Sequence, residues 1–269
     1  MRLARSAILL VLISAAAGCA APGDEPRTSS PDEGRSPRPQ AATENSSTVS
    51  AANDDETGPT VFQVCNTGPG SCVATVKTKG DQAIFDHPSD SDSKLTLHNP
   101  VPSGAPLVFL VTKDLGDWVE VLLPIRPNGS TGFVRKTDVA IAHHQWRIEV
   151  FLESLRIEVW NGDSLFLEAP VGVAKDNTPT PEGVYYTTEL LRPPDPNGPY
   201  GVYAYGLSGF SEVLETFRGG PGQLGIHGTN DPASIGRKVS AGCIRMRNED
   251  IARLAGVLPL GTPVTVHDA

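Results

Sequence analysis

Cys243 and His227 carry the residue types that can do chemistry together. Cys243 lies in Ser240-Ala241-Gly242-Cys243-Ile244-Arg245-Met246, downstream of Ile226-His227-Gly228 in the same glycine-rich stretch. From Trp146 onward it is the only cysteine, so it has no disulfide partner in that part of the chain. In an exported protein a free thiol is a liability unless it is buried or used. Cysteine with histidine is the minimal set for acyl transfer: the imidazole takes the thiol proton and the thiolate attacks a carbonyl. A free thiol of pKa ~8.5 is only a few per cent ionised near neutral pH, and a histidine partner changes that. Gly242 allows a close backbone approach, and the N–H groups of Ala241, Gly242 and Cys243 can form an oxyanion hole. Composition alone favours the plainer alternative, a buried structural cysteine and a turn histidine.

The elements that must position these residues read as mostly β. From Trp146, residues 147–152 alternate apolar and polar side chains, as do 155–160. After Asn161-Gly162 the run 164–167 returns, which predicts a β-hairpin with a type I′ turn. Pro179-Thr180-Pro181-Glu182-Gly183 reads as a loop before a strand over 184–186, and 264–266 as a closing strand. The clear helix candidate is 248–255, with Asn248 as cap, Glu249 and Asp250 at its positive end, and Gly256 to stop it. The Pro/Gly/Tyr-rich stretch 185–212 is a candidate lid loop.

The segment from Ile226 to Met246 resembles the signature of the YkuD-type L,D-transpeptidases: His-Gly, a spacer, then Ser-x-Gly-Cys-Ile-Arg-Met. Pro179-Thr180-Pro181-x-Gly183 is similar to another part of that pattern, and the resemblance runs from Trp146 onward. It implies a catalytic domain of β-sandwich type with Cys243 as nucleophile and His227 as general base. Gly228 would orient His227 through its carbonyl, and Ser240 would brace the cysteine loop. Ala241 and Gly242 would contribute to the oxyanion and substrate contacts. Arg245 would support the loop or bind a substrate carboxylate; alternatively it pairs with Asp250 or Glu249. Ala241 departs from the His or Asn frequent at its place, which bears on substrate preference more than on the nucleophile. His87, His98, His143, His144 and His267 have no comparable setting and read as surface or packing residues.

The implied reaction is peptidoglycan L,D-transpeptidation. Cys243 attacks the third residue of a donor stem tetrapeptide, terminal D-Ala leaves, and the diamino acid of an acceptor stem resolves the thioester to a 3→3 cross-link. Neither a cofactor nor a metal is required, and the resemblance also implies acylation by carbapenems. The alternatives are an L,D-carboxypeptidase, in which water resolves the thioester, and a non-catalytic wall-binding protein.

Upstream, residues 1–19 read as a secretory signal: Arg2 and Arg5, then an apolar run too short to span a bilayer. The run ends Ala16-Ala17-Gly18-Cys19, which resembles a lipobox. Lipidation of Cys19 would attach the protein to a membrane by acyl chains, facing the periplasm or cell wall. Residues 20–60 hold almost nothing but Ala, Pro, Ser, Thr, Gly, Asp, Glu, Asn and Arg, show no apolar periodicity and read as a disordered tether, with a root-mean-square reach of about 35 Å. Short β-type runs at 73–77, 95–97, 107–112, 118–122 and 132–134 suggest a small barrel over 61–142. Gly116-Asp117-Trp118 and the stretch 124–134 resemble bacterial Src-homology-3-like domains, which implies wall docking or a rigid spacer. Cys65 and Cys72 are a disulfide candidate; closing so short a loop contributes about 2.5 kcal/mol. The catalytic domain is expected over 143–269.

The net charge of -9 over 269 residues argues against nucleic acid as a partner, because phosphate backbones call for a basic patch. Hydrophobic residues at 39% suffice for a packed core. The chain is expected to be a monomer that binds stem peptides.

Overall fold

The computed structural model describes residues 70–268. The segment 1–19, the tether 20–60, Cys19 and Cys65 lie outside the described residues. Cys72 is disulfide-bonded.

In the N-terminal part, period-two burial builds one sheet and one hairpin. The strands are β1 (Ser71–Val76), β2 (Gly80–Ile84), β3 (Leu95–Asn99), β4 (Val108–Asp114), β5 (Trp118–Leu122), β6 (Thr131–Arg135) and β7 (Val139–His144). Five of them form a sheet in the order β6-β5-β4-β1-β7, and β2 pairs with β3. A bridge between Phe85 and Phe133 ties the hairpin to β6. One side chain in two turns inward: Val119 and Val121 from β5, Val134 from β6, Phe109 and Val111 from β4. The strands β2 and β7 are not legible as apolar runs. β7 buries only Val139 fully and leaves Ile141 36% exposed, so it is held by its ladder to β1 rather than by a hydrophobic face.

The C-terminal part holds β8 (Trp146–Phe151), β9 (Arg156–Asn161), β10 (Ser164–Pro170), β11 (Val173–Ala174), β12 (Gly183–Leu191), β13 (Ala204–Phe210), β14 (Gln223–His227), β15 (Lys238–Ser240), β16 (Ile244–Arg245), α1 (Asn248–Ala255) and β17 (Pro263–His267). Eight of these strands form a sheet in the order β10-β9-β8-β17-β12-β13-β14-β16. The pair β11 and β15 runs parallel beside it. The fold is thus mostly β with one short α-helix among the described residues. Ile148, Val150, Ile157, Val159, Leu207, Ile226, Met246, Ile251 and Leu254 fill its core. Each such side chain contributes about 1.5–3 kcal/mol when fully buried.

Three local expectations are corrected. In the β9–β10 hairpin Ser164 pairs with Asn161, so the turn residues are Gly162 and Asp163, and only Gly162 has a positive φ, +58°. A type I′ turn needs positive φ at both, so the turn is of another type. The helix starts after Arg247, whose side chain makes no capping bond; Asn248 is the first helical residue and turns its side-chain oxygen to the Thr229 N–H instead, at 3.1 Å. The carbonyls at the helix's far end are met by the Tyr205 hydroxyl, which donates to Leu254 O and Leu258 O. The stretch 185–212 is not one loop: it is most of β12, a connection over 192–203, and all of β13. Gly206 and Gly209 are sheet positions. Gly209 lacks a side chain because the Tyr185 ring occupies that space.

A third apolar cluster joins the two parts. Val73, Val108, Leu110 and Leu122 pack around Tyr186 of β12, with Val184 and Leu260 at the edge. Gly261 lies against Val73, where a side chain would not fit.

Candidate active site

His227 ends β14, and β16 lies parallel beside it with Ile226 opposite Ile244 and His227 opposite Arg245. That register brings Cys243, the residue before β16, alongside Gly225 and into the pocket that the imidazole also lines. Cys243, His227, Ser240, Ala241 and Arg245 line one small pocket of about 50 Å³ with Pro199, Tyr200, Phe217 and Arg218. The sequence-nominated residues are therefore brought together. None of the other five histidines lines this pocket; His267, for example, pairs with Glu149 at 2.8 Å and stacks on Phe151.

The cysteine loop is held carbonyl by carbonyl. Ser240 Oγ donates to Cys243 O at 2.6 Å and accepts from Gly242 N–H at 3.2 Å. The Lys175 N–H donates to Ser240 O at 3.2 Å. Thr180 Oγ1 donates to Gly242 O at 2.8 Å, and Thr180 is only 3% exposed. Gly242 sits at φ +131°, where a side chain is strained. The Pro-Thr-Pro loop thus has a physical reason: its threonine clamps the turn before Cys243.

His227 Nδ1 lies 2.5 Å from Gly228 O, which places the proton on Nδ1 and leaves Nε2 as the basic nitrogen. Gly228 N–H in turn donates to Tyr203 O, and Met246 N–H to His227 O. The imidazole is 5% exposed. Burial holds its pKa down at about 4; the Gly228 carbonyl opposes this, while the charges of Arg245 and Arg218 add to it. Burial likewise pushes the Cys243 thiol above its ordinary value, against a backbone hydrogen bond from Gly225 and the Arg245 charge. Both groups therefore rest neutral, as thiol and imidazole.

Arg245 lies 3.9 Å from Asp231, not beside Asp250 or Glu249. Its backbone exchanges hydrogen bonds with Gly172, N to O at 2.7 Å and 2.9 Å. Phe217 and Arg218 are not among the residues the sequence nominates, and Tyr200 is foreseen only as part of the 185–212 stretch. They reach the pocket from connections whose course depends on tertiary contacts, and no spacing announces them. The one local hint is Arg218 itself, a non-glycine residue at φ +50°.

Proteins similar to this chain share one family name. The family model for YkuD, the L,D-transpeptidase catalytic domain, matches residues 145–266. The YkuD protein of Bacillus licheniformis is 39% identical over 121 residues, 45% of this chain and 65% of that protein. The YkuD protein of Bacillus subtilis is 44% identical over 98 residues, 36% of this chain and 51% of that protein. Both carry L,D-transpeptidase in their names, and this chain spans less than two thirds of either. The catalytic domain of an E. faecium L,D-transpeptidase, solved by NMR, aligns over 46% of this chain and 98% of that one, at 23% identity and a TM-score of 0.34. Residues 145–266 are thus similar to the YkuD-type L,D-transpeptidase catalytic domain.

Proposed function

We propose that this protein is a peptidoglycan L,D-transpeptidase that forms 3→3 cross-links through a thioester on Cys243. The observation that carries the proposal is the joint placement of Cys243 and His227 in one small pocket, with the imidazole fixed through Nδ1. In this mechanism Nε2 takes the thiol proton as sulfur attacks the carbonyl of the third stem residue. The same proton passes to the departing nitrogen of D-Ala. The acceptor's side-chain amine then attacks the thioester, gives a proton to Nε2, and the thiol is regenerated by its return. Gly242 N–H is engaged by Ser240 Oγ, so the amides of Cys243 and Ala241 are the ones assigned to the oxyanion.

Two resting neutral groups are a poor nucleophile pair until substrate arrives. Arg245 and Arg218 both disfavour a proton on His227. A substrate carboxylate placed against these guanidiniums offsets their charge, raises the imidazole pKa and makes proton transfer easier. The substrate thereby completes its own catalyst.

The reading includes location. The basic start, short apolar run and Cys19 support export and lipid anchorage, with residues 20–60 as tether and the N-terminal β-domain as a Src-homology-3-like module.

The test is to incubate the purified protein with disaccharide-tetrapeptide and weigh the products. A dimer lacking one alanine, with fragmentation showing a 3→3 link, is the expected result. Tripeptide without dimer assigns the chain to the carboxypeptidases. Unchanged substrate with sound enzyme overturns the enzymatic reading.

A further inference from the structure

The N-terminal β-domain reaches into the loop that walls the Cys243 pocket. The connection between β5 and β6 carries Arg126 and Asn128. Arg126 Nη2 donates to Ser211 O at 2.9 Å and Leu214 O at 3.0 Å, and its guanidinium lies 4.7 Å from the centre of the Phe210 ring. Asn128 pairs with the backbone of Phe210 in both directions, Nδ2 to O and N to Oδ1, each at 2.8 Å. These contacts seize the root of the loop 211–222. The loop closes on itself by Ser211 N–H to Gly222 O and by the reciprocal pair Phe217 and Gly220. Most of its residues are exposed, so little core burial fixes its course. Its tip delivers Phe217 and Arg218 to the pocket. Arg218 makes no salt bridge among the described residues, and its guanidinium lies 5.9 Å from the Tyr200 ring centre.

We infer that Arg126 and Asn128 are positioning residues that hold the 211–222 loop so that Arg218 stands as a second cation at the mouth of the Cys243 pocket. The N-terminal domain is then part of substrate recognition, selecting ligands that carry a carboxylate beside the group attacked. The inference rests on the reading of Cys243 as the reactive thiol. Two features support it. No carboxylate lines the pocket, while two arginines do. The Arg218 charge is also felt at His227. Gly222, at φ +70° and packed against Leu214 O, marks the same joint as one built for close approach.

The test compares two alkylating agents of similar size on the full chain, iodoacetate (anionic) and iodoacetamide (neutral). The ratio of their rates at Cys243 reports the cation at the mouth. Arg218→Ala is expected to lower the anion preference about threefold. Arg126→Ala should lower it by a similar factor, and the double variant should add nothing, because Arg126 acts through Arg218. Arg126→Lys, which keeps a cationic donor, should restore most of the preference. An Arg126→Ala ratio equal to wild type, or additive losses in the double variant, overturns the inference. Hydrogen exchange over 212–220 decides independently of the thiol: faster exchange in Arg126→Ala or Asn128→Ala supports the coupling, and unchanged exchange in both overturns it. A wild-type Cys243 inert to both reagents counts against the transpeptidase reading, and the exchange result then still decides the coupling.

Discussion

The ring of Tyr200 stands edge-on to the imidazole of His227, with centroids 5.0 Å apart and planes at 70°. The 192–203 connection thus covers one side of the imidazole, and burial is the main cause of its low proton affinity. Removing the ring in Tyr200→Ala should hydrate His227 and raise its pKa from about 4 toward 6.5. Tyr200→Phe keeps the ring and should leave it in place. Titration of the His227 ring protons by NMR measures both; an unmoved pKa in Tyr200→Ala would assign the shielding to other residues.

The thiol and imidazole should be neutral in the free protein. The difference in ultraviolet absorbance near 240 nm between wild type and Cys243→Ala should show no thiolate at pH 7, since burial raises the thiol pKa. A thiolate signal there would mean that a preformed ion pair exists. His227→Ala should slow acylation of Cys243 by roughly 10²-fold, read by mass after mixing with a carbapenem. Cys243→Ala should abolish it and leave the melting temperature near wild type.

Acid should weaken the fold before it protonates most carboxylates. His227 and His144 both have pKa values held down at about 4, chiefly by burial. In the unfolded chain each takes a proton near its ordinary value of about 6.5. Between those values the unfolded state binds more protons. The stability is fully present above about pH 6.5 and is lost as pH falls toward 4, at about 1.4 kcal/mol per pH unit for His227. Urea midpoints at pH 7, 6 and 5 should fall progressively, and His227→Gln should flatten the trend. A flat wild-type series would contradict the buried neutral imidazole.

Thr180→Val should release the turn before Cys243. The substitution keeps the shape and deletes the donor to Gly242 O. The loss of one buried hydrogen bond costs about 1 kcal/mol of stability, while the acylation rate should fall by about 10-fold because the oxyanion amides are displaced. Thr180→Ser should retain both. Equal acylation rates in Thr180→Val and wild type would show that the loop holds its place without the Thr180 bond.

Much of this was readable from residue order. Alternation in 118–122 and 147–152 gave true strands because one face of each is buried, and Val119, Val121, Ile148 and Val150 mark that face. Cys243, His227 and Arg245 were legible because they sit on or next to two adjacent parallel strands, close in sequence and in space, and Ser240 ends the short strand just before them. β13 was hidden because Gly206 and Gly209 look like loop residues, whereas Gly209 makes room for Tyr185. The Asn248 side chain was misread because a residue at the start of a helix can serve either the helix or the loop beside it, and here it serves Thr229. Phe217 and Arg218 were invisible for a different reason. The root of their loop is held by Arg126 and Asn128, more than 80 residues upstream, and long-range tethering leaves no local pattern.

The position of β17 sets the order in which the molecule can be made. It lies between β8 and β12, parallel to the first and antiparallel to the second. Until residues 263–267 have left the ribosome, β8, β9 and β10 have no ladder to the strands that carry His227 and Cys243. Both halves of the sheet must wait with open edges for a strand made after everything else in it. The seam between the half that carries His227 and Cys243 and the half that holds β8, β9 and β10 is therefore closed by the sheet's last strand in sequence.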